Sequence, residues 1–170
     1  MMAPVLTTDR LVLRGPDMAD YPDYAAFWKS DRSAHILGPL PDWGIWLQFS
    51  AMVGHWSLRD FGWWTLVDKE SDRIVGWMGL FHPEHYPDPE LGWILAEWAE
   101  GQGFATEAAV AIREYGQSNL GMDRIISYID DANTRSKQLA ERLGAERILT
   151  DSVMGKVYHI YLHYSPGTVA

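Results

Sequence analysis

The run Glu100-Gly101-Gln102-Gly103-Phe104-Ala105-Thr106-Glu107-Ala108 places two glycines directly before a helical pattern. The first turn of a helix leaves backbone N–H groups without partners, and the helix dipole adds partial positive charge at the same place. Glycines there let an anion come close to the amides, so the chemistry on offer is phosphate binding, with pyrophosphate the natural guest. The expected contacts are Gly101, Gln102, Gly103, Phe104, Ala105 and Thr106, mainly through the main chain, with the Thr106 hydroxyl as a side-chain addition. In isolation a plain turn before a helix would read the same way. A dinucleotide site fits less well. Its fingerprint wants a third Gly or Ala where Thr106 stands, in a unit near the front of a doubly wound sheet, and this loop follows about half the chain.

The elements that must position this loop follow from periodicity. Residues 6–14 read as a strand, with Leu11 and Leu13 alternating against polar positions. Asp17 suits the N-cap of a helix carrying Tyr21, Tyr24, Ala25 and Trp28. A short helix is expected over 31–37 and a longer one over 42–59, where Trp43, Trp46, Leu47, Phe49 and Met52 keep helical spacing. Strands over 62–68, 73–82 and 90–95 follow, the first two joined by a turn at 69–72. Then come a helix over 105–118, a strand over 124–129 and a helix over 134–143, with Asn133 as N-cap and Gly144 as the stop. Strands over 147–151 and 156–164 close the chain around a turn at Met154-Gly155. The order is βααβββαβαββ, with the short second helix counted with its longer neighbour.

Composition bounds what such a chain can do. Its 170 residues, 47% hydrophobic, suit a single domain over 1–170 with its own core. Zero cysteines exclude a disulfide framework, a thiol nucleophile and thiolate metal sites. A net charge of −9 with only 14 Lys plus Arg argues against nucleic acid as a partner and weakly favours a cationic one. No apolar run is long enough to span a bilayer and no signal-peptide pattern is seen, so no membrane association and a cytoplasmic location are expected. The histidines, among them His35, His55, His159 and His163, show no metal-ligand spacing with carboxylates, so no metal is expected. Nine tryptophans suit core filling, and Trp43, Trp46 and Trp77 could instead wall an acceptor cleft, where aromatic faces would suit an amine.

The loop does not stand alone. A strand follows its helix, then Asp130-Asp131-Ala132-Asn133-Thr134-Arg135-Ser136 opens a helix ending at Leu143-Gly144. This resembles motifs A and B of the GNAT acyltransferase superfamily, whose loop reads Gln/Arg-x-x-Gly-x-Gly/Ala. The run Gly-Phe-Ala-Thr-Glu-Ala, the later Asn-Thr-x-Ser and the opening Leu6-Thr7-Thr8-Asp9-Arg10-Leu11 are most similar to the ribosomal-protein N-terminal acetyltransferase-like branch. The resemblance implies an α/β (α+β) GNAT fold: a single mixed, mostly antiparallel six- to seven-stranded sheet flanked by helices on both faces. It implies acetyl-CoA as cosubstrate and direct acetyl transfer to a primary amine, either a protein N-terminus or a small amine. The assembly would be a monomer or homodimer.

The same resemblance suggests residue roles. Glu90, opening the strand beside the thioester, becomes the candidate general base, with His82 and His85 as rivals because imidazole titrates near neutrality. Trp93, Ile94 and Leu95 would pair with pantetheine through their main chain, with the amide of Ile94 or Leu95 as oxyanion donor. Asn133 would contact the pantetheine arm. Ala140 stands where many members carry a tyrosine acid, which leaves Ser136 to sit by the sulfur. Glu100 stands where Gln or Arg is expected and places a like charge near phosphate. Small-molecule acetyltransfer (polyamine, amino acid or aminoglycoside) and a non-catalytic acyl-CoA-binding or regulatory module are the alternatives; thioester turnover separates the second from an enzyme.

Overall fold

The computed structural model describes residues 3–153 and 156–163; the turn expected at Met154-Gly155 and the strand end at Tyr164 lie outside the described residues. Eight strands form one sheet in the order β1-β2-β3-β4-β5-β6-β8-β7: β1 Leu6–Thr7, β2 Leu11–Arg14, β3 Trp63–Asp68, β4 Ile74–Phe81, β5 Glu90–Leu95, β6 Ile126–Asp130, β7 Glu146–Val153 and β8 Lys156–Leu162. Every neighbouring pair is antiparallel except β5 and β6.

Two helices, α1 Tyr21–Lys29 and α2 Asp42–Arg59, pack Tyr24, Trp28, Ile45, Phe49 and Met52 against Trp77 and Ile94. On the opposite face α3 Phe104–Leu120 sets Ala108, Ala109 and Ile112 against Met78, Leu80 and Leu91. Successive residues of the central strands point to opposite sides, so Trp77 and Met78 serve different helical layers. The short α4 Thr134–Arg142 packs Ala140 against Ile129 and Tyr161.

The count exceeds the expected six or seven strands because residues 6–14 are not one strand. The chain folds back on itself, pairing Leu6 with Leu13 and Thr7 with Val12. Thr8 makes the turn: its N–H donates to the Leu11 carbonyl and its hydroxyl accepts from the Leu11 amide, each at 3.0 Å. The expected short helix over 31–37 is a 3-10 turn at Asp31–His35.

β5 and β6 share only one register pair, Glu90 with Ile126, and then part. Where the ladder fails, Ser127 spans the gap. Its hydroxyl donates to the Leu91 carbonyl at 2.6 Å and lies 2.9 Å from Nε2 of buried His163. With the Ser127 proton on Leu91, His163 donates from Nε2, and Nδ1 has no partner among the described residues. Burial, with the Arg113 charge second, pushes the His163 imidazole down to about 3. The unfolded ring takes a proton near 6.5, so this neutral histidine stabilises the fold above that pH. Its contribution is lost as pH falls from there toward 3. Denaturation curves between pH 7 and pH 4 should show that loss, and His163→Gln should flatten it; an unchanged slope would place the acid sensitivity elsewhere.

Candidate active site

Gly101 and Gly103 adopt left-handed φ of +74° and +82°, and Gly103 is the N-cap of α3 with no side chain to offer. Left-handed backbone is cheap only for glycine. A Cβ at Gly101 would meet nothing within 4 Å, and one at Gly103 would meet only an Arg10 Nη2 at 3.4 Å. Both positions therefore face open space. The loop is braced from behind by the β1–β2 turn: Arg10 Nη1 donates to the Gln102 carbonyl at 2.9 Å and Nε to Glu107 at 2.7 Å. Glu107 also accepts from the Thr8 hydroxyl and the Arg10 amide. Burial works against its charge, but these hydrogen bonds hold its carboxyl below the usual range.

Gly101, Gly103, Ala105 and Thr106 line a cleft. The Thr106 hydroxyl is buried with no hydrogen-bond partner among the described residues, and an orphaned donor of that kind costs free energy unless a ligand meets it. The other two expected contacts, Gln102 and Phe104, do not line the cleft with their side chains. Gln102 turns its side-chain amide onto the Trp98 carbonyl at 2.5 Å, and Phe104 is a core ring beneath the Arg10 guanidinium. Glu100 is not the unbalanced charge its position suggests, because Arg32 and Arg135 both pair with its carboxylate across the cleft.

A second cavity, of about 460 Å³, lies between α1–α2 and the β6–β8 side of the split sheet. Glu90 lines it, half-buried, with the Tyr128 amide 3.3 Å from its carboxylate. Burial pushes the Glu90 carboxyl up to about 7, against the opposing pull of that amide. His85 also lines this cavity. His82 does not: its Nε2 faces the Tyr86 carbonyl at 3.1 Å, while its backbone amide donates to His55.

His35, Ile36, Trp93, Ile94, Asn133 and Ser136 line both spaces. Asn133 caps α4 by accepting from the Ser136 amide at 3.1 Å, and the Trp93 indole donates to the Ser136 hydroxyl at 3.0 Å. That hydroxyl keeps its own proton to donate. Along β5, the Ala96 amide bonds to β4 while the Leu91 and Leu95 carbonyls accept from Ser127 and Arg32. Strand alternation then turns the amides of Trp93 and Leu95 into the gap and that of Ile94 toward β4. Of the two amides expected as oxyanion donors, that of Leu95 points into the gap and that of Ile94 toward β4.

The aromatic wall differs from the expected one. Trp43 is 69% exposed and Trp46 49% exposed on the outer side of α2, while Trp77 is buried in the core. The cavity is walled instead by Trp28, Trp63 and Trp93. Ala140, at the position of the usual tyrosine, is fully buried against Ile129, Ala145 and Tyr161. Tyrosine cannot be accommodated there without overpacking, so Ala140→Tyr should destabilise the protein by about 1–3 kcal/mol in thermal melts and restore no activity. His35, Arg32 and Arg135 were not marked by any sequence spacing. They reach the site from the turn after α1 and from the first turn of α4.

A glycine-rimmed cleft and an acid-bearing cavity meet at a shared junction, a layout that suits a two-substrate group transferase. Residues 10–146 match the acetyltransferase (GNAT) domain family, and the chain belongs to it. It is 25% identical over 165 residues to the uncharacterized N-acetyltransferase p20 of Bacillus licheniformis, covering 92% of this chain and 93% of that protein. An acetyltransferase from Agrobacterium tumefaciens str. C58 has a similar structure, with TM-score 0.89, 32% identity and coverage of 97% and 96% of the two chains. The ribosomal-protein-S5-alanine acetyltransferase of Vibrio fischeri shares the fold at TM-score 0.78 and 12% identity, covering 99% and 100%.

Proposed function

We propose that this chain is a single-domain acetyl-CoA-dependent N-acetyltransferase that moves the acetyl group directly to a primary amine. The carrying observation is the junction, where six residues line the anion cleft and the acid-bearing cavity together. Bound there, acetyl-CoA supplies an activated thioester and an anionic pyrophosphate.

The chain's own groups divide the work. The amides of the Gly101–Thr106 loop and the orphaned Thr106 hydroxyl receive the pyrophosphate. The amides of Trp93 and Leu95 run along the gap beside β6, open to an added strand, and Leu95 N–H stabilises the charge that gathers on the carbonyl oxygen. Asn133 holds the first turn of α4 so that Ser136 faces the junction. Glu90 takes the ammonium proton. It stands three residues before Trp93, a rise of roughly 10 Å, so the proton travels through a water rather than directly. Ser136, fixed by the Trp93 indole, relays a proton to the departing thiolate, taking one from water as it gives its own so that no alkoxide is left.

The test is amine-dependent thiol release from acetyl-CoA, with binding measured in parallel. Binding without turnover would make the chain an acyl-CoA-binding module instead. Ser136→Ala should lower kcat by about 10²-fold, the low end of general-acid effects, with acetyl-CoA affinity nearly unchanged. Full turnover in that variant would leave solvent or backbone as the proton source.

A further inference from the structure

We infer that the acceptor is a hydrophobic monoamine: one primary amine on an apolar body, with no second charged group. The inference rests on the acetyltransferase reading and concerns the acceptor side of the same site.

Among the described residues the cavity lining includes three carboxylates, Glu90, Asp130 and Asp151, and neither lysine nor arginine. An ammonium is welcome there and a phosphate or carboxylate is repelled. The acids sit on the strand side, among tyrosines. Tyr86, Tyr128 and Tyr158 all line the cavity, and each phenol is pushed up first by burial and then by nearby carboxylate charge, that of Glu90 for Tyr86 and Tyr128 and that of Asp130 ahead of Glu90 for Tyr158. Tyr86 and Tyr128 meet edge to face at 5.3 Å. Aromatic faces around a carboxylate hold a cation while accepting the alkyl stem behind it.

The opposite wall is different in kind. Tyr24, Trp28, Ile36, Leu37, Ala51 and Met52 come from α1, the turn after it and α2, which add the neutral amide of Gln48 and the ring of His35 but no carboxylate. A second ammonium reaching that wall would be desolvated without a counter-charge. The Trp63 indole completes the enclosure. Its six-membered ring packs onto Gly92, where a Cβ would stand 2.6 Å from its Cζ2 and 2.9 Å from its Cη2. A ring pressed that closely onto backbone presents a fixed apolar face, and fixed faces select by shape.

The cleft is also tied across. Lys156 Nζ at the start of β8 donates to the Ala34 carbonyl at 2.9 Å, joining the two sides that carry Tyr158 and His35. An extended polypeptide would have to break that tie; a small amine would not.

The experiment compares kcat/KM for hexylamine, 2-phenylethylamine, 1,6-diaminohexane, phenylalanine and a short peptide with a free N-terminus, with acetyl-CoA binding followed by calorimetry. Hexylamine should exceed 1,6-diaminohexane, its equal in length, by at least about tenfold, since only the buried second charge differs. Both monoamines should exceed phenylalanine and the peptide. Trp63→Ala should raise KM for 2-phenylethylamine far more than it lowers kcat, and Trp63→Phe should recover much of the loss. If acetyl-CoA binds and the diamine, the amino acid or the peptide is preferred, this inference falls and the acetyltransferase reading stands. If acetyl-CoA does not bind, or no amine is acetylated, both fall.

Discussion

Glu90→Gln is expected to yield a protein that is more stable at pH 8 and nearly inactive. The activity loss follows from removing the proton acceptor while keeping the side chain's shape, and general-base effects run to roughly 10²–10⁴-fold. The stability gain follows from burial. Unfolded, this carboxyl loses its proton near 4.5; folded, it holds it to about 7. The native state therefore binds the extra proton between those values. The contribution of this group is fully present below 4.5 and is lost as pH rises through 7. Above pH 7 the protein carries a half-buried charge that glutamine lacks, worth on the order of 2 kcal/mol and a melting shift of several degrees for a domain of this size. Below pH 4.5 the two proteins should melt alike. Wild-type kcat/KM should fall as pH drops below 7, because the base is then protonated. A stability difference that ignores pH would mean Glu90 is not the titrating group. If activity survives, the base moves to His85, which shares the cavity, rather than His82, whose Nε2 faces a backbone carbonyl.

The sheet and its helices were legible because burial acts through short-range spacing. The limits of α2 came out as expected, Asp42–Arg59, and β5 began at Glu90 as expected. The fold-back at Thr8 was not legible. Thr7-Thr8-Asp9-Arg10 lacks a glycine, and the Thr8 hydroxyl is held by Glu107, 99 residues away. The glycine loop before α3 declared itself because its signal is local: two left-handed glycines and a helix start. The aromatic lining of the cavity did not. Helical spacing shows that Trp43, Trp46 and Leu47 share a side of α2, but not that this side faces outward. The neutralisation of Glu100 by Arg32 and Arg135 is likewise a meeting of three distant segments. What sequence alone reads as a hostile charge is, in the fold, the centre of an ion-pair bridge over the cleft.

Gly103→Ala should cost acetyl-CoA binding out of proportion to its cost in stability, and Gly121→Ala supplies the comparison. Both glycines are left-handed, at φ +82° and +63°, and both leave open space around an added Cβ apart from one Arg10 nitrogen near Gly103. Alanine in this region carries a strain of about 1–2 kcal/mol, so the two variants should melt at similarly lowered temperatures. They differ in where the methyl points. Gly121 closes the far end of α3, whereas Gly103 caps the end that faces the cleft. At a ligand concentration 100 times Kd, binding stabilises the native state by about 2.7 kcal/mol. A methyl that keeps pyrophosphate off the amides and weakens affinity about a hundredfold would leave roughly 0.4 kcal/mol. Acetyl-CoA should therefore raise the melting temperature of the wild type and of Gly121→Ala by several degrees, and that of Gly103→Ala by about one. If all three shift equally, the loop is a turn and the phosphates bind elsewhere. If both variants lose the shift, strain transmitted through α3 is the cause rather than a blocked approach. Only a loss confined to Gly103→Ala assigns the pyrophosphate to this helix start.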